Sequence, residues 1–281
     1  MTLATPDIAS RRLPAASRLV LASFALAALG VPAAAQERPA ALRALESQGV
    51  TVVGTFPAPG GLTAWAGYAG QQPLAFYATP DGKHVIVGTL LDAQGKDVSQ
   101  APLEKAVRAK MSDGLWKQLE SSHWIADGKP GAPRTVYVFT DPNCPYCNKF
   151  WADARPWVDS GKVMLRHVMV GILTPTSAGK AAALLASKDP AAALAAYERG
   201  HVAENAKVLG SGQARPLGDG GLKPLATIPP AIQSKLDANE KLMAGLRLQA
   251  TPAFAWRDAS GAVQTRTGAP PAAMAQILGP R

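Results

Sequence analysis

The sequence predicts an α+β chain in two parts. A small helix-and-sheet module comes first, a larger α/β domain with a helical insertion comes second, and one long helix joins them. Three observations predict this. Four short β-type runs lie between residues 50 and 87, each parted from the next by a Pro- or Gly-rich turn. Leu103, Val107, Met111, Leu115 and Leu119 then recur every four residues, which is a helical stripe. From Val136 onward a strand-like run, a Cys-x-x-Cys turn and a helical run are followed by further strands and helices. With 281 residues and 47% apolar content, the chain can bury a sizeable core.

Residues 1–35 read as a secretory signal. Arg11, Arg12 and Arg18 are its basic region, Leu19 to Val31 its apolar core, and Ala33-Ala34-Ala35 a small-residue cleavage site before Gln36. The apolar run is 13 residues long, short of the roughly 20 needed to span a bilayer. Cleavage after Ala35 and a product without membrane insertion are expected. Export keeps disulfides available, and the signal type suits a bacterial periplasm.

Residues 36–98 form the first module. Glu37 to Gln48 carries Leu42 and Leu45 on a short amphipathic helix ended by Gly49. The strands expected next are 50–53, 62–66, 74–77 and 84–87, with Pro73 assigned to a turn and Leu90 and Leu91 extending the last strand. A unit this small buries little surface alone, so pairing with a second copy is expected. Residues 99–132 read as a linker: a helix from Ala101 to Trp124 carrying the apolar stripe, then a Gly- and Pro-rich hinge from Asp127 to Pro133.

Residues 133–281 hold the chemistry. Val136 to Phe139 is an apolar β-branched and aromatic run, a buried strand. A turn containing Asp141 and Pro142 leads to Cys144-Pro145-Tyr146-Cys147, and Phe150, Trp151, Ala154 and Trp157 follow at helical spacing. Cys144 therefore falls where a strand's exit meets a helix's first turn. Unpaired N–H groups and the positive end of the helix dipole favour a thiolate there. Pro145 suits the first helical position. Cys147, one turn on, can close a disulfide back to Cys144. Pro145, Tyr146 and Asp141 border Cys144 and are candidate tuning residues.

These are the only two cysteines. A zinc site would need two more ligands, and His84, His123, His167 and His201 show no paired spacing. A structural disulfide is the competing reading, but closing so short a loop removes only about 2 kcal/mol of unfolded-chain entropy. Thiol–disulfide exchange accounts better for the pair, and neither metal nor cofactor is expected.

After the Cys-x-x-Cys helix, which Pro156 is expected to kink, Lys162 to Val170 reads as a strand. Helices are expected over 177–188, 190–199 and 231–246, with a Gly- and Pro-rich loop over 200–230. A strand at Ala253 to Trp256, a turn, a strand at Ala262 to Thr267 and a helix from Pro270 to Leu278 close the chain. Strand, Cys-x-x-Cys helix, strand, helical insertion (about 176–247), hairpin and helix is the order of a thioredoxin fold. In that fold the proline before the third core strand is cis and packs against the cysteines, so Thr251-Pro252 is expected to be a cis-proline loop. Its exposed backbone could pair with an extended substrate segment.

The formal charge is +9; losing three Arg and one Asp with the signal leaves +7. The basic residues are scattered, with no aromatic-interleaved stripe, which argues against nucleic-acid binding.

The segments TPDGKHVIVG, SHWIADGK, VYVFTDPNCPYC, FWADARPWVDSGKV, LLASKDP and NEKLM resemble the DsbC/DsbG family of periplasmic thiol:disulfide interchange proteins. CPYC, in place of the CGYC usual in DsbC, points to the DsbG branch. The resemblance implies a V-shaped homodimer joined through cystatin-like N-terminal dimerisation domains, with a linker helix leading to each thioredoxin-fold catalytic domain. It implies Cys144 as nucleophile, Cys147 as resolving thiol and Thr251-Pro252 as the substrate-binding loop. It also implies a DsbD-like membrane reductant, cysteine-containing exported proteins as substrates, and isomerase, sulfenic-acid-reducing and chaperone activities. Asn143 stands where an apolar or aromatic residue is expected. A monomeric DsbA-like oxidase, a holdase with dispensable redox activity and a copper carrier are the rival readings.

Overall fold

A computed structural model of the chain describes residues 38–281, so the secretory segment expected over 1–35 lies outside the described residues. Helix α1 (Ala40–Ser47) starts at Pro39 and stops before Gly49, whose φ of 94° only glycine adopts freely. Strands β1 (Thr51–Phe56), β2 (Thr63–Ala69), β3 (Gln72–Ala78) and β4 (Val85–Val87) form an antiparallel sheet in sequence order. Side chains alternate across it with the two-residue period, except in β1, where a register shift between Val52 and Gly54 sends Val52 and Phe56 to opposite faces. Val52, Trp65 and Phe76 close over Leu42 of α1. Phe56, Ala64, Ala66, Ala75 and Tyr77 face Leu103 and Val107 of α2 (Gln100–Ser121).

Two expectations for this module change. Pro73 is not in a turn but in β3, opposite Tyr68, because the turn is only Gly70-Gln71. It lies beyond the end of β4, which pairs only with Phe76 to Ala78, and a strand proline is tolerated at such an edge. Leu90 and Leu91 do not prolong β4; Leu91 makes an isolated bridge to Asp97 that leads into α2.

The apolar stripe of α2 serves two cores. Leu103, Val107 and Met111 pack on the first sheet, whereas Leu115 and Leu119 pack with Tyr137 and Phe139. The second sheet has five strands in the order β5-β7-β6-β8-β9, from β5 (Trp124–Asp127), β6 (Arg134–Thr140), β7 (Val163–Met169), β8 (Ala253–Arg257) and β9 (Val263–Thr267). Only β6 and β7 run parallel. Val136 and Val138 of β6 join the core under α3 (Pro145–Asp159) and α7 (Met274–Leu278). Tyr137 and Phe139 face α2 and α6 (Pro230–Gly245). Burial on both faces explains why this run is continuously apolar rather than alternating.

Strand β5 differs from the expectation, which ends the helix at Trp124 and begins the hinge at Asp127: Trp124 to Asp127 pair with Val168 to Leu165. Long-range partners hold this edge in place. Arg155 makes a two-pronged ion pair with Asp127, and Asn239 of α6 bonds both main-chain groups of His123. Burial alone would raise the Asp127 carboxyl, but bonds from His167 and Arg155 outweigh it and hold it far below the usual carboxylate range.

The insertion also differs. Helix α4 (Ser177–Leu185) is followed by α5 (Pro190–Gly210), which continues eleven residues past the expected end. Asp189 caps it by accepting from the Ala192 N–H. Gly200 costs about 1 kcal/mol, offset by the burial of Tyr197, Glu198, His201 and Asn205 on one face. The irregular segment is therefore only 211–229. Helix α3 runs through Pro156, which lies inside it, to Asp159.

Candidate active site

Strand β6 delivers the chain to the site. Beyond Thr140, Asp141 turns the backbone: its Oδ1 accepts from the Asn143 N–H (2.8 Å) and the Ser177 hydroxyl (2.8 Å). Its Oδ2 accepts from the N–H groups of Ile172 (2.8 Å) and Leu173 (2.9 Å). These four bonds give Asp141, a candidate tuning residue, the geometry of a turn cap. The turn closes with the Cys144 N–H on Asp141 O at 3.0 Å.

Cys144 is the N-cap of α3, with extended backbone, and Pro145 occupies the first helical position. Its sulfur takes the place a Ser or Asp oxygen usually fills, accepting from the Cys147 N–H at 3.1 Å. It also donates to the Thr251 carbonyl at 3.4 Å. The Thr251–Pro252 bond is cis, and antiparallel pairing of Ala253 with Phe139 sets that loop beside the cysteines. The Thr251 hydroxyl is buried, meets no acceptor at ordinary hydrogen-bond geometry, and lies near enough to Cys144 to favour its thiolate.

Both cysteines are free thiols, 2% and 3% exposed, yet their titration is pushed apart. Hydrogen bonding from Cys147 favours the Cys144 thiolate; burial opposes it, contacts from Thr251 reinforce it, and the net result lies below an ordinary thiol. Burial pushes Cys147 well above an ordinary thiol, and the neighbouring Cys144 adds to the effect. The surroundings thus favour a thiolate at Cys144 and a protonated thiol at Cys147. Tyr146, between them, is 54% exposed, and exposed Ile172 and Leu173 flank the Asp141 turn.

A polar layer lies behind the site. The Asn148 amide donates to Glu198 O and Oε2, and Asn205 bridges Pro145 O and Asn148 Oδ1. Burial raises the Glu198 carboxyl above its usual range, with the Asn148 bond pulling the other way. Among the described residues no three of His, Cys, Asp and Glu gather as metal ligands.

Of two further site residues, the sequence marks Asn143 only as a departure from the expected apolar residue and gives Lys180 no role. Asn143 is fully buried, with its amide nitrogen on the hydroxyls of Thr174, Thr176 and Ser177. Lys180 is 1% exposed and reaches Asn143 Oδ1 at 2.7 Å. The available signal was a lone lysine within the small and apolar residues of α4.

Residues 125–279 match the model of a thioredoxin-like domain, and residues 32–100 match that of the disulfide bond isomerase protein N-terminal domain. The thiol:disulfide interchange protein DsbG of Pseudomonas aeruginosa is 49% identical over 253 residues, covering 90% of this chain and 93% of that protein. DsbG of Escherichia coli is 41% identical over 245 residues, covering 87% and 92%. A likeness of this depth, running through both matched domains, places the chain in the DsbG family of thiol:disulfide interchange proteins.

Proposed function

We propose that the chain is exported to the periplasm and, as a homodimer, reduces and isomerises disulfides of cysteine-containing exported proteins. The observation that carries this reading is the placement of the two sulfurs, Cys144 at the α3 N-cap accepting from the Cys147 N–H and Cys147 sealed behind it, which pushes their titrations in opposite directions. The Cys144 thiolate attacks a substrate disulfide, forming a Cys144–substrate bond and expelling the other substrate sulfur as thiolate. Cys147 then gives up its proton and attacks Cys144 Sγ. The substrate sulfur leaves reduced, and Cys144–Cys147 becomes the redox disulfide. In isomerisation a substrate thiolate resolves the bond instead. With a sulfenic acid the same attack expels hydroxide. A DsbD-like membrane thiol donor returns the pair to the dithiol.

The Thr251-Pro252 loop lies where an extended substrate could pair with its backbone. Exposed Tyr146, Ile172 and Leu173 provide apolar contact for unfolded segments, which also supports a chaperone role. Alkylation of the reduced protein tests the central claim. The rate at Cys144 should follow a titration centred below the roughly 8.5 of a free thiol, with Cys147 unreactive over the same range. A Cys144 profile like free cysteine would overturn it.

The dimer is proposed to form through the edge of the first sheet. Ile86 and Val87 of β4 are 64% and 52% exposed, and Leu91 beside them is exposed as well. An unpaired apolar edge strand is an open template for a second copy. Ile86→Asp together with Val87→Asp should therefore give a monomer in analytical ultracentrifugation. A dimer that survives both changes would place the interface elsewhere.

A further inference from the structure

Lys180 is the most deeply buried cation among the described residues and takes no direct part in the exchange chemistry above. Its Nζ reaches Asn143 Oδ1 (2.7 Å), Gly218 O (2.7 Å), Asp219 Oδ1 (3.1 Å) and Leu217 O (3.3 Å). Three of these partners lie on one short irregular segment, and the fourth is the residue immediately before Cys144. The Leu217 N–H closes the same link from the other side, donating to Asn143 O at 3.0 Å. Tyr197 of α5 ties in both strands of the link, donating to Pro142 O at 2.7 Å and lying 3.3 Å from Gly218 O.

The chemistry of the partners explains the arrangement. A lysine has donors only, so it fixes the Asn143 amide with its oxygen inward. The amide nitrogen is thereby turned onto the hydroxyls of Thr174, Thr176 and Ser177. The segment itself is pressed against α5. At Gly220, φ is 52° and an added Cβ would lie 2.0 Å from His201 Cε1, while His201 Nε2 sits 3.1 Å from Gly218 O. Burying an ammonium is a poor way to gain stability, since an apolar side chain of similar size often serves as well or better. This one is spent on the turn that carries the reactive sulfur.

We propose that Lys180 is a positioning residue for the exchange reaction: it clamps the Leu217–Asp219 segment against Asn143, and so holds Cys144 Sγ in line with the Cys147 N–H. The inference deepens the exchange reading and rests on it. Lys180→Met keeps the length and removes every donor; Asn143→Ala removes the group through which the clamp acts. Either change lets the turn drift, so the Cys144 thiolate loses part of its N–H contact. The reduced protein then loses stabilisation relative to its disulfide form. In glutathione buffers, where the dithiol gives two electrons to oxidised glutathione and the pair closes to a disulfide, the equilibrium constant for oxidation should rise about fivefold. That corresponds to a potential about 20 mV more negative, at 29.6 mV per tenfold. Alkylation at pH 6 should slow by a similar factor. The double variant should shift no further than the larger single one, since both act on one link.

Wild-type protein runs in the same series. A wild-type Cys144 that titrates like free cysteine overturns the exchange reading and the clamp with it. A low-titrating wild type, with both variants matching its potential and alkylation profile and differing only in melting temperature, overturns the clamp alone. Should Lys180→Met fail to fold, Asn143→Ala decides by the same two readouts.

Discussion

Replacing Cys147 with alanine should leave the protein covalently joined to its substrates, and replacing Cys144 should leave no such adducts. The asymmetry follows from where the two sulfurs sit. Cys144 occupies the N-cap, held by the Cys147 N–H and facing the Thr251 carbonyl. Burial holds Cys147 protonated well above the ordinary thiol range. Once Cys144 is bonded to a substrate, Cys147 is the resolving group already in place. Well-oriented intramolecular attack is worth effective molarities of 10⁵ M or more, and millimolar external thiols fall far short of that. Release from Cys147→Ala should therefore slow by about 10³-fold or more. Non-reducing electrophoresis of cell extracts, followed by mass spectrometry of the captured partners, reads this directly and names the substrates. Equal capture by Cys144→Ala would reverse the assignment of the two roles.

Asp141→Asn should weaken the fold while making Cys144 more reactive, two effects of opposite sign. The buried carboxylate accepts four bonds, two at each oxygen. An asparagine keeps one oxygen and turns an NH₂ toward donors, leaving two buried donors unmatched. At roughly 1–3 kcal/mol for each, the loss should be about 3 kcal/mol, or roughly 10 °C in melting temperature for a domain of this size. The same negative charge also disfavours the Cys144 thiolate. Its removal should move the Cys144 titration down and speed alkylation at pH 6. Thermal melts and iodoacetamide kinetics on one preparation test both signs. A slower Cys144 in this variant would mean that the turn's geometry outweighs its charge.

The sequence revealed most where local chemistry and long-range packing agree. Val136 to Phe139 reads as buried because both faces of β6 are covered, and the Cys-Pro-Tyr-Cys turn carries its own helix start in Pro145. Thr251-Pro252 was legible once the order of elements suggested the fold, and its bond is cis. Tertiary contacts defeated the rest. Trp124 to Asp127 is too short to declare itself a strand, and becomes one through Arg155 and Asn239, 28 and 116 residues away from their partners. The last three turns of α5 follow a glycine and precede more glycines; buried Tyr197 and His201 keep that stretch helical. Asn143 departs from the apolar residue expected before the first cysteine. Its partner Lys180 lies 37 residues further on, a pairing that no spacing rule encodes.

The shared stripe on α2 also sets an angular phase. Each residue advances a helix by 1.5 Å and turns it by about 100°, so one residue inserted between Met111 and Leu115 would swing every later side chain a quarter of the way round. Leu103 and Val107 would keep their seat while Leu115 and Leu119 pointed away from theirs. The number of residues between the two sets therefore works like the pitch of a screw, and this chain could lengthen or shorten the spacer only in steps close to whole turns.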